Sequence, residues 1–347
     1  MTGSAPARHG VDLAGRTTFG IGGPARTLWE ATTEDELAAL AVRHPTALVL
    51  GGGSNVLLPD EGLDEVIAIG TRGLVEDDLG ERVRLVVQAG EPWDEVVAHA
   101  ARRGLSGIEC LSGIPGQTGA TPVQNVGAYG QEIADVLEAV RVVDRRTGER
   151  RRMPREACGF RYRDSVFKSE SPGRYVVLAV SIILSKAPPR PPTYRELANA
   201  LGAAPLGVLR IREAVLSLRR KKGMVFDADD PDTHGAGSFF TNPIVPAAIA
   251  DEVRRRARER GAPEPPVFAG EAEGTVKLAA GWLIERAGVA RGFAVGRAAV
   301  STKHALALVN RGGATAAEVR ALADHVRDAV SAAWGVTLSA EPLVFGR

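Results

Sequence analysis

A run of three glycines between Leu50 and Ser54 has the composition of an anion-binding turn. It follows the apolar residues Ala47–Leu50, which predict a buried strand, and it precedes the short polar side chains of Ser54 and Asn55. Because glycine has no Cβ, the main chain can take positive φ angles here and expose successive N–H groups to a ligand. The run suggests a site for a phosphate-bearing ligand, with a tight turn between two strands as the alternative. It matches neither the P-loop nor the Gly-x-Gly-x-x-Gly fingerprint.

A second stretch, Phe160–Lys168, alternates aromatic and basic residues. Within it, Arg163 next to Tyr162 is a pair suited to binding a carboxylate. A guanidinium can donate two parallel hydrogen bonds to the two oxygens, and the phenol can hydrogen-bond a neighbouring group. The alternative interpretation is an amphipathic edge without a ligand.

The segment from Gly107 to Gly130 is rich in glycine and carries almost no charge. A solvated loop of this length usually carries charge, so the composition favours backbone wrapped against a large ligand. An ordered surface loop without function is the alternative.

Two further features lie in the C-terminal half. Ser238 stands on a glycine turn before two aromatic residues, but the pattern is not Gly-x-Ser-x-Gly and does not support a nucleophile elbow. The helical pattern Leu209–Lys222 ends in four basic residues. They complement the helix dipole, and a diphosphate ligand is the functional alternative.

Composition excludes several classes of protein. The chain has 347 residues, of which 44% are hydrophobic and 24% charged, and this predicts two or three domains. A net charge of +1 argues against nucleic-acid binding. Cys110 and Cys158 form no disulfide framework or metal cluster, which favours a reducing compartment. Residues Met1–Arg16 are polar and lack the apolar core of a signal peptide, and no uncharged apolar run has the length of a membrane helix, so we expect a cytoplasmic protein.

Short apolar runs alternate with helical patterns along the chain, which predicts mixed α and β structure. The N-terminal part reads as a small β-α-β unit whose helix is capped by Thr33. Strands are predicted at Ala25–Trp29, Ala47–Leu50, Val66–Ile69, Val83–Gln88, Val136–Val143, Tyr175–Leu184, Ala305–Asn310 and Val336–Gly346. Helices are predicted at Leu37–Val42, Trp93–Arg103, Tyr194–Leu201, Leu209–Lys222, Trp282–Ala287 and Thr315–Trp334.

Taken in order, these motifs resemble the UDP-N-acetylenolpyruvoylglucosamine reductase (MurB) family, in the form that has a tyrosine loop. The resemblance covers Thr17–Gly346, and its specificity comes from six motifs in register. They are Thr18–Ala25, Gly51–Asn55, Gly113–Gly116 with Gln124–Gly130, Tyr162–Lys168, Gly237–Pro243 and the terminal Glu341.

The resemblance implies an α+β fold. Two subdomains would form an FAD-binding module of the vanillyl-alcohol-oxidase (PCMH) type, and an α+β substrate domain would bind a UDP-sugar. The implied boundaries are residues 1–75 with 340–347 for the first FAD-binding subdomain, 76–212 for the second and 213–339 for the substrate domain. No His or Cys occurs in the Leu48–Pro59 stretch, so the FAD is expected to be bound non-covalently there.

The resemblance also implies roles for individual residues. The cofactor-binding residues would be Gly51, Gly52, Gly53, Ser54, Asn55, Ser112, Gly113, Ile114, Pro115, Gly116, Thr121, Gln124, Asn125, Gly127, Ala128 and Tyr129. The substrate-binding residues would be Tyr162, Tyr194, Lys222 and Asn242, and the catalytic residues Arg163, Ser238 and Glu341. No metal is expected, and His304 is interpreted as structural because no second histidine lies near it in sequence.

The family's chemistry assigns each catalytic residue a task. Its substrate, UDP-N-acetylglucosamine enolpyruvate, has a double bond conjugated to a carboxylate, so hydride addition leaves negative charge on that carboxylate. Arg163 and Glu341 would stabilise this charge, and Ser238 would protonate the adjacent carbon. NADPH would supply the hydride through FAD. The expected enzyme is a cytoplasmic monomer of peptidoglycan precursor synthesis, with no nucleic acid or membrane partner.

Two departures and two alternatives accompany the resemblance. Glu285-Arg286 stands where relatives often have Asp-Gln, and Ser339-Ala340 precedes Glu341 where a glutamate and a proline are common. A flavin oxidase that uses oxygen is the second hypothesis and would produce peroxide. A non-catalytic nucleotide-binding module is the third, and substitution of the three catalytic residues would then remove no activity.

Overall fold

The computed structural model describes residues 5–346 of the chain, which form two compact units. Unit 1 comprises residues 5–11, Ala25–Gly53 and Leu63–Val225; unit 2 comprises Asp12–Pro24, Ser54–Gly62 and residues 226–346. The strands, in chain order, are β1 (Arg8–Asp12), β2 (Pro24–Ala31), β3 (Leu48–Leu50), β4 (Val56–Leu57), β5 (Leu63–Ile69), β6 (Leu74–Asp78), β7 (Arg82–Gln88), β8 (Gly127–Ala128), β9 (Gln131–Glu132), β10 (Leu137–Asp144), β11 (Arg150–Pro154), β12 (Tyr175–Ser185), β13 (Ile244–Pro246), β14 (Val267–Ala269), β15 (Thr275–Leu278), β16 (Ala294–Val295), β17 (Ala298–Val300), β18 (Leu308–Asn310) and β19 (Leu343–Val344). The α-helices are α1 (Glu34–Arg43), α2 (Trp93–Arg102), α3 (Arg195–Leu201), α4 (Val208–Lys221), α5 (Ala247–Glu259), α6 (Ala280–Arg286) and α7 (Ala316–Trp334).

The first sheet of unit 1 has the strand order β1-β2-β5-β3. Strands β2 and β3 both pair with β5 in parallel, and α1 connects β2 to β3, which confirms the β-α-β unit predicted from the sequence. Helix α1 begins with a complete capping box: the Thr33 side chain accepts from the Glu36 N–H, and the Glu36 carboxylate accepts from the Thr33 N–H. This helix buries Leu37, Leu40 and neighbouring alanines against the sheet.

The second sheet of unit 1 is antiparallel, in the order β11-β10-β12-β7-β6. Its two central strands, β10 and β12, consist largely of buried valine, leucine, isoleucine and alanine. On one face the sheet packs against α2 through Trp93, Val96 and Val97. On the other, Val143, Val176 and Leu178 join the cluster that contains α1. The sheet is therefore covered on both sides, which explains the nearly continuous apolar runs of its central strands.

Helices α3 and α4 form a small separate layer of unit 1. Leu197 and Leu201 of α3 are buried against Ile211 and Val215 of α4, in a cluster that also includes Cys110 and Tyr129. Through this cluster, α3 and α4 pack against the glycine-rich segment Gly107–Gly130.

Unit 2 is built around α7, the longest helix among the described residues. Its apolar face, which includes Val319, Leu322, Val326, Val330 and Trp334, is buried against α5, α6 and the sheet β16-β17-β18. The helix begins at a capping box made by Thr315 and Glu318, and its N-terminal N–H groups also donate to the Asp60 carboxylate. It ends at Gly335, whose φ of 70° lies in the left-handed region.

The predicted strand Val336–Gly346 was wrong in its extent. Only Leu343–Val344 forms a strand, in parallel with β4, and Ala340 makes an isolated bridge with Phe240. The predicted strand Ala305–Asn310 is likewise shorter and begins at Leu308. The division into three domains stays a prediction. No helix among residues 5–346 is both long and apolar enough to span a bilayer.

Candidate functional site

The two glycine turns predicted to bind the cofactor lie against each other in unit 1. A Cβ atom placed on Gly52 would lie 2.9 Å from the Cα of Gly116, closer than real Cβ contacts allow. One placed on Gly51 would lie 3.0 Å from the Oε1 atom of Gln117, whose amide donates to the Ile69 carbonyl. The turns can meet only because they carry bare backbone. The arrangement fits a ligand whose phosphates are bound by main-chain N–H groups.

The predicted cofactor-binding stretch Ser112–Gly130 is named the cofactor segment. Three of its side chains form hydrogen bonds that support the conformation of the segment itself. The hydroxyl of Ser112 donates to Glu109 O, and that of Thr121 donates to Thr118 O; both residues are buried. Asn125 has a positive φ of 46°, and its amide donates to the Glu132 carboxylate at 2.8 Å. These side chains fix the path of the main chain, so their contribution to a ligand would come from the backbone.

Arg163 is bound to the same segment. Its Nη2 donates to Gly127 O at 2.6 Å and its Nη1 to Asn125 O at 3.4 Å, while the guanidinium also lies 5.2 Å from the Tyr162 ring centroid. The backbone of Arg163 has a φ of 55°, one of three positive values at non-glycine residues within 5–346. The other two, Asn125 and Tyr129, belong to the cofactor segment itself. Such strain persists where surrounding contacts enforce it, and it is common at functional sites.

The predicted substrate residues Tyr194 and Lys222 are also adjacent to this segment. The Tyr194 ring meets the Tyr129 ring edge-on, with 5.4 Å between centroids, and the Lys222 Nζ lies 5.8 Å from the Tyr129 centroid. Burial raises the pKa of the Tyr129 phenol to about 12, so it stays protonated at neutral pH. The structure therefore brings three predicted residues, Arg163, Tyr194 and Lys222, to one segment of unit 1, which itself contains Tyr129.

Sequence reasoning missed the residues that hold the Gly113 turn. The Asp94 carboxylate accepts from Gly113 N at 2.6 Å and from both terminal nitrogens of Arg212, at 2.6 and 2.7 Å. Burial favours the neutral acid, but the hydrogen bonds from Arg212 and Gly113 outweigh it and lower the pKa of Asp94. Arg219 of the basic helix end donates to the carbonyls of Gly113 and Met224. Burial lowers the pKa of Arg219 to about 10.

Unit 2 brings together a second group of predicted residues. The backbone N–H of Glu341 donates to the carbonyl oxygen of Phe239 at 2.8 Å, and Phe239 directly follows Ser238 in the chain. The side-chain Nδ2 of Asn55 lies 3.5 Å from the carbonyl oxygen of Glu341. Phe239 N in turn donates to Leu306 O at 2.7 Å. Ser238 and Glu341 are thus held on neighbouring stretches of backbone, with Asn55 beside them.

Other parts of unit 2 support this group. Asn242 caps α6, because its Oδ1 accepts from Ala280 N at 2.9 Å. The Thr18 hydroxyl donates to Gly235 O at 2.6 Å and anchors the turn before Ser238. Within residues 5–346, no cluster of His, Cys, Asp and Glu has the makeup of a metal site. Arg163 belongs to unit 1, so its action together with Ser238 and Glu341 stays a prediction.

Comparisons with known proteins agree with this division of the site. A family model described as an FAD binding domain matches residues 26–153, and one described as the C-terminal domain of UDP-N-acetylenolpyruvoylglucosamine reductase matches residues 230–345. The UDP-N-acetylenolpyruvoylglucosamine reductase of Saccharopolyspora erythraea is 49% identical over 364 aligned positions, covering 99% of each chain. That of Mycolicibacterium smegmatis is 48% identical and covers 97% of this chain and 94% of its own. The crystal structure of the Thermus caldophilus reductase superimposes with a TM-score of 0.66 at 29% identity, over 99% of both chains.

The FAD-binding model and the bare-backbone turns define the class: the chain is an FAD-dependent oxidoreductase of the α+β fold predicted from its sequence. Its relatives are identical at nearly half of all positions over their full lengths. The chain therefore belongs to the UDP-N-acetylenolpyruvoylglucosamine reductase family, which confirms the resemblance drawn from the six motifs.

The contact between the two glycine turns leads to a prediction about cofactor retention. Gly52→Ala should weaken FAD binding by at least about tenfold, ~1.4 kcal/mol, because the new methyl group must push Gly116 away. The ratio of flavin absorbance to protein absorbance, followed during dilution, measures the loss. Gly15→Ala is the matched control, because a Cβ there meets nothing within 4 Å. Equal FAD retention in both variants would contradict the proposed role of the contact.

Proposed function

We propose that this chain reduces the enolpyruvyl group of UDP-N-acetylenolpyruvoylglucosamine to give UDP-N-acetylmuramate, with NADPH as the hydride donor, in peptidoglycan precursor synthesis. The observation that carries the proposal is the 49% identity, over 99% of both chains, to a protein of that name. The proposal includes action as a monomer in the cytoplasm, where the pathway would serve cell shape and division.

Cofactor binding is assigned to the glycine turns of unit 1 and to Ser54 and Asn55, which follow the first of these turns in the chain. The Gly51–Asn55 turn and the Ser112–Gly130 segment would together bind the pyrophosphate and the ring system of FAD. Support comes from the close approach of Gly52 to Gly116, which only backbone without side chains allows. Bound FAD, reduced by NADPH, supplies the hydride that reaches the terminal methylene of the substrate.

The chain's own residues would handle the charge and the proton. Arg163 would bind the substrate carboxylate, on which negative charge accumulates, and Glu341 would help to polarise the same group. Ser238 would donate a proton to the carbon next to the carboxylate; a hydroxyl is a weak acid, but an enolate is a strong base. The backbone contact between Glu341 and Phe239 supports this pairing, because it fixes two of the three groups in one unit.

Substrate recognition is assigned to Tyr162, Tyr194, Lys222 and Asn242. Lys222, at the end of α4, would bind the diphosphate, and Tyr194 would cover it. The side-chain Oδ1 of Asn242 already accepts from the first N–H of α6, so we assign the nucleotide contact to the side-chain Nδ2.

One anaerobic titration tests the proposal. NADPH should bleach the visible absorption of the FAD-loaded protein, and the enolpyruvyl substrate should restore it in a 1:1 ratio, as expected for a two-electron transfer to each substrate molecule. In a separate aerobic assay, reoxidation by oxygen at a rate that matches turnover, with peroxide as a product, would favour the oxidase alternative. A folded protein that cannot take up FAD would contradict the proposal.

A further inference from the structure

Lys222, the residue proposed to bind the substrate diphosphate, is already bonded to an anion in this structure. Its ammonium donates to the carboxylate of Glu196, which stands in the first turn of α3. Tyr129 and Tyr194 complete the group, which we name the Lys222 cluster: Tyr129, Tyr194, Glu196 and Lys222.

Packing holds the backbone of Glu196 in place. The next residue, Leu197, is fully buried, and Leu201 one turn later is 3% exposed, both against α4. The preceding loop is also close to the cofactor segment, because a Cβ placed on Gly130 would lie 3.0 Å from the Thr193 hydroxyl. Glu196 is thus presented to Lys222 by a docked helix.

The two charged side chains remain accessible to a ligand. Those of Lys222 and Glu196 are 29% and 38% exposed, and Tyr194 is 47% exposed. An ion pair of this exposure contributes little to stability, so a ligand with more negative charge can displace the carboxylate. Tyr129 keeps its proton at neutral pH and adds no negative charge to the cluster.

We propose that Glu196 occupies the position of a substrate phosphate on Lys222 and must leave when the diphosphate binds. The inference rests on the proposed function, in which Lys222 contacts that diphosphate. Binding is then an exchange of one anion for another. Glu196 then lowers the affinity for every anion at this position, a single phosphate ion included. The carboxylate also neutralises Lys222 between turnovers.

Calorimetric titration of the FAD-loaded protein with UDP tests this exchange. Glu196→Gln should bind UDP about fivefold more tightly than the unmodified protein, because the competing charge is removed while the size of the side chain is kept. Inorganic phosphate should compete with UDP more strongly in this variant. The KM for the enolpyruvyl substrate should fall while kcat stays the same. Glu213→Gln, at an exposed glutamate of α4, is the matched control and should leave UDP affinity unchanged.

The outcomes distinguish this inference from the proposed function. If Lys222→Met leaves UDP affinity unchanged, the assignment of Lys222 to the diphosphate is wrong, and the inference falls with it. If Lys222→Met weakens binding but Glu196→Gln does not tighten it, the inference alone is overturned. The double variant Lys222→Met with Glu196→Gln should bind UDP no more tightly than Lys222→Met alone. Tighter UDP binding by the double variant would mean a general charge effect and would also overturn the exchange.

A second variant separates the exchange from loss of helix structure. The charge of Glu196 also favours the N-terminal turn of α3, so Glu196→Gln can lower thermal stability. Glu196→Asp keeps the charge at the helix start but shortens the side chain by one methylene. If Glu196→Gln melts early, Glu196→Asp decides: tighter UDP binding supports the exchange, and unchanged or weaker binding overturns it.

Discussion

Ser238→Ala should slow the reoxidation of the reduced flavin by the enolpyruvyl substrate by about two to four orders of magnitude, the usual contribution of general acid catalysis. The reduction of the flavin by NADPH should stay nearly unchanged, because that half-reaction needs no proton at the substrate carbon. Rapid-mixing absorbance measurements on each half-reaction separately, without oxygen, give the two rates.

The structure supports a clean interpretation of this variant. Ser238 lies between Gly237, whose φ is 68°, and Phe239, which is held by backbone hydrogen bonds to Leu306 and Glu341. Removing the hydroxyl leaves these main-chain contacts in place, so the turn should keep its shape. Ser217→Ala, at an exposed position of α4, is the matched control. Equal slowing of both half-reactions by Ser238→Ala would remove Ser238 as the proton donor.

Local signals in the sequence were sufficient to predict many of the elements. The helix starts at Thr33 and Thr315 could be predicted because an N-cap and its acidic partner lie within three residues of each other. Gly335 could be predicted as a helix stop from its residue type alone, because glycine adopts the left-handed conformation of a C-cap without strain. The prediction of a strand over Val336–Gly346 was wrong in its extent, because an apolar run gives no information on whether a neighbouring strand is present to pair with it. Only Leu343–Val344 meets one, the two-residue strand β4.

The supports of the site could not be predicted, because they join residues that are distant in the chain. Asp94 and Arg212 form a bidentate pair across 118 positions, and both act on the Gly113 turn. The basic helix end gave a partial signal, but one of its residues, Arg219, binds the Gly113 carbonyl instead of a ligand. Motifs show which residues carry the chemistry, whereas the contacts that position them depend on tertiary packing.

Arg163→Met should lower kcat/KM for the enolpyruvyl substrate by about two to three orders of magnitude, the usual effect of removing one group that stabilises negative charge in the transition state. Arg163→Lys should recover only part of this loss, because an ammonium keeps the charge but cannot donate two parallel hydrogen bonds to a carboxylate. Steady-state kinetics with NADPH and varied substrate measure both effects.

The control for this variant must separate catalysis from cofactor retention, since Arg163 also donates to the carbonyls of Asn125 and Gly127. Arg161→Met is a suitable comparison: Arg161 is exposed and pairs with Asp164 and Glu170. If Arg163→Met loses FAD in proportion to its activity, the residue acts by shaping the cofactor segment. If FAD is retained and NADPH still reduces it at the normal rate while substrate reoxidises it slowly, Arg163 acts on the substrate carboxylate. Retention of FAD decides between the two results, because the Arg163 guanidinium already donates to the cofactor segment and removing it tests that contact and the substrate contact together.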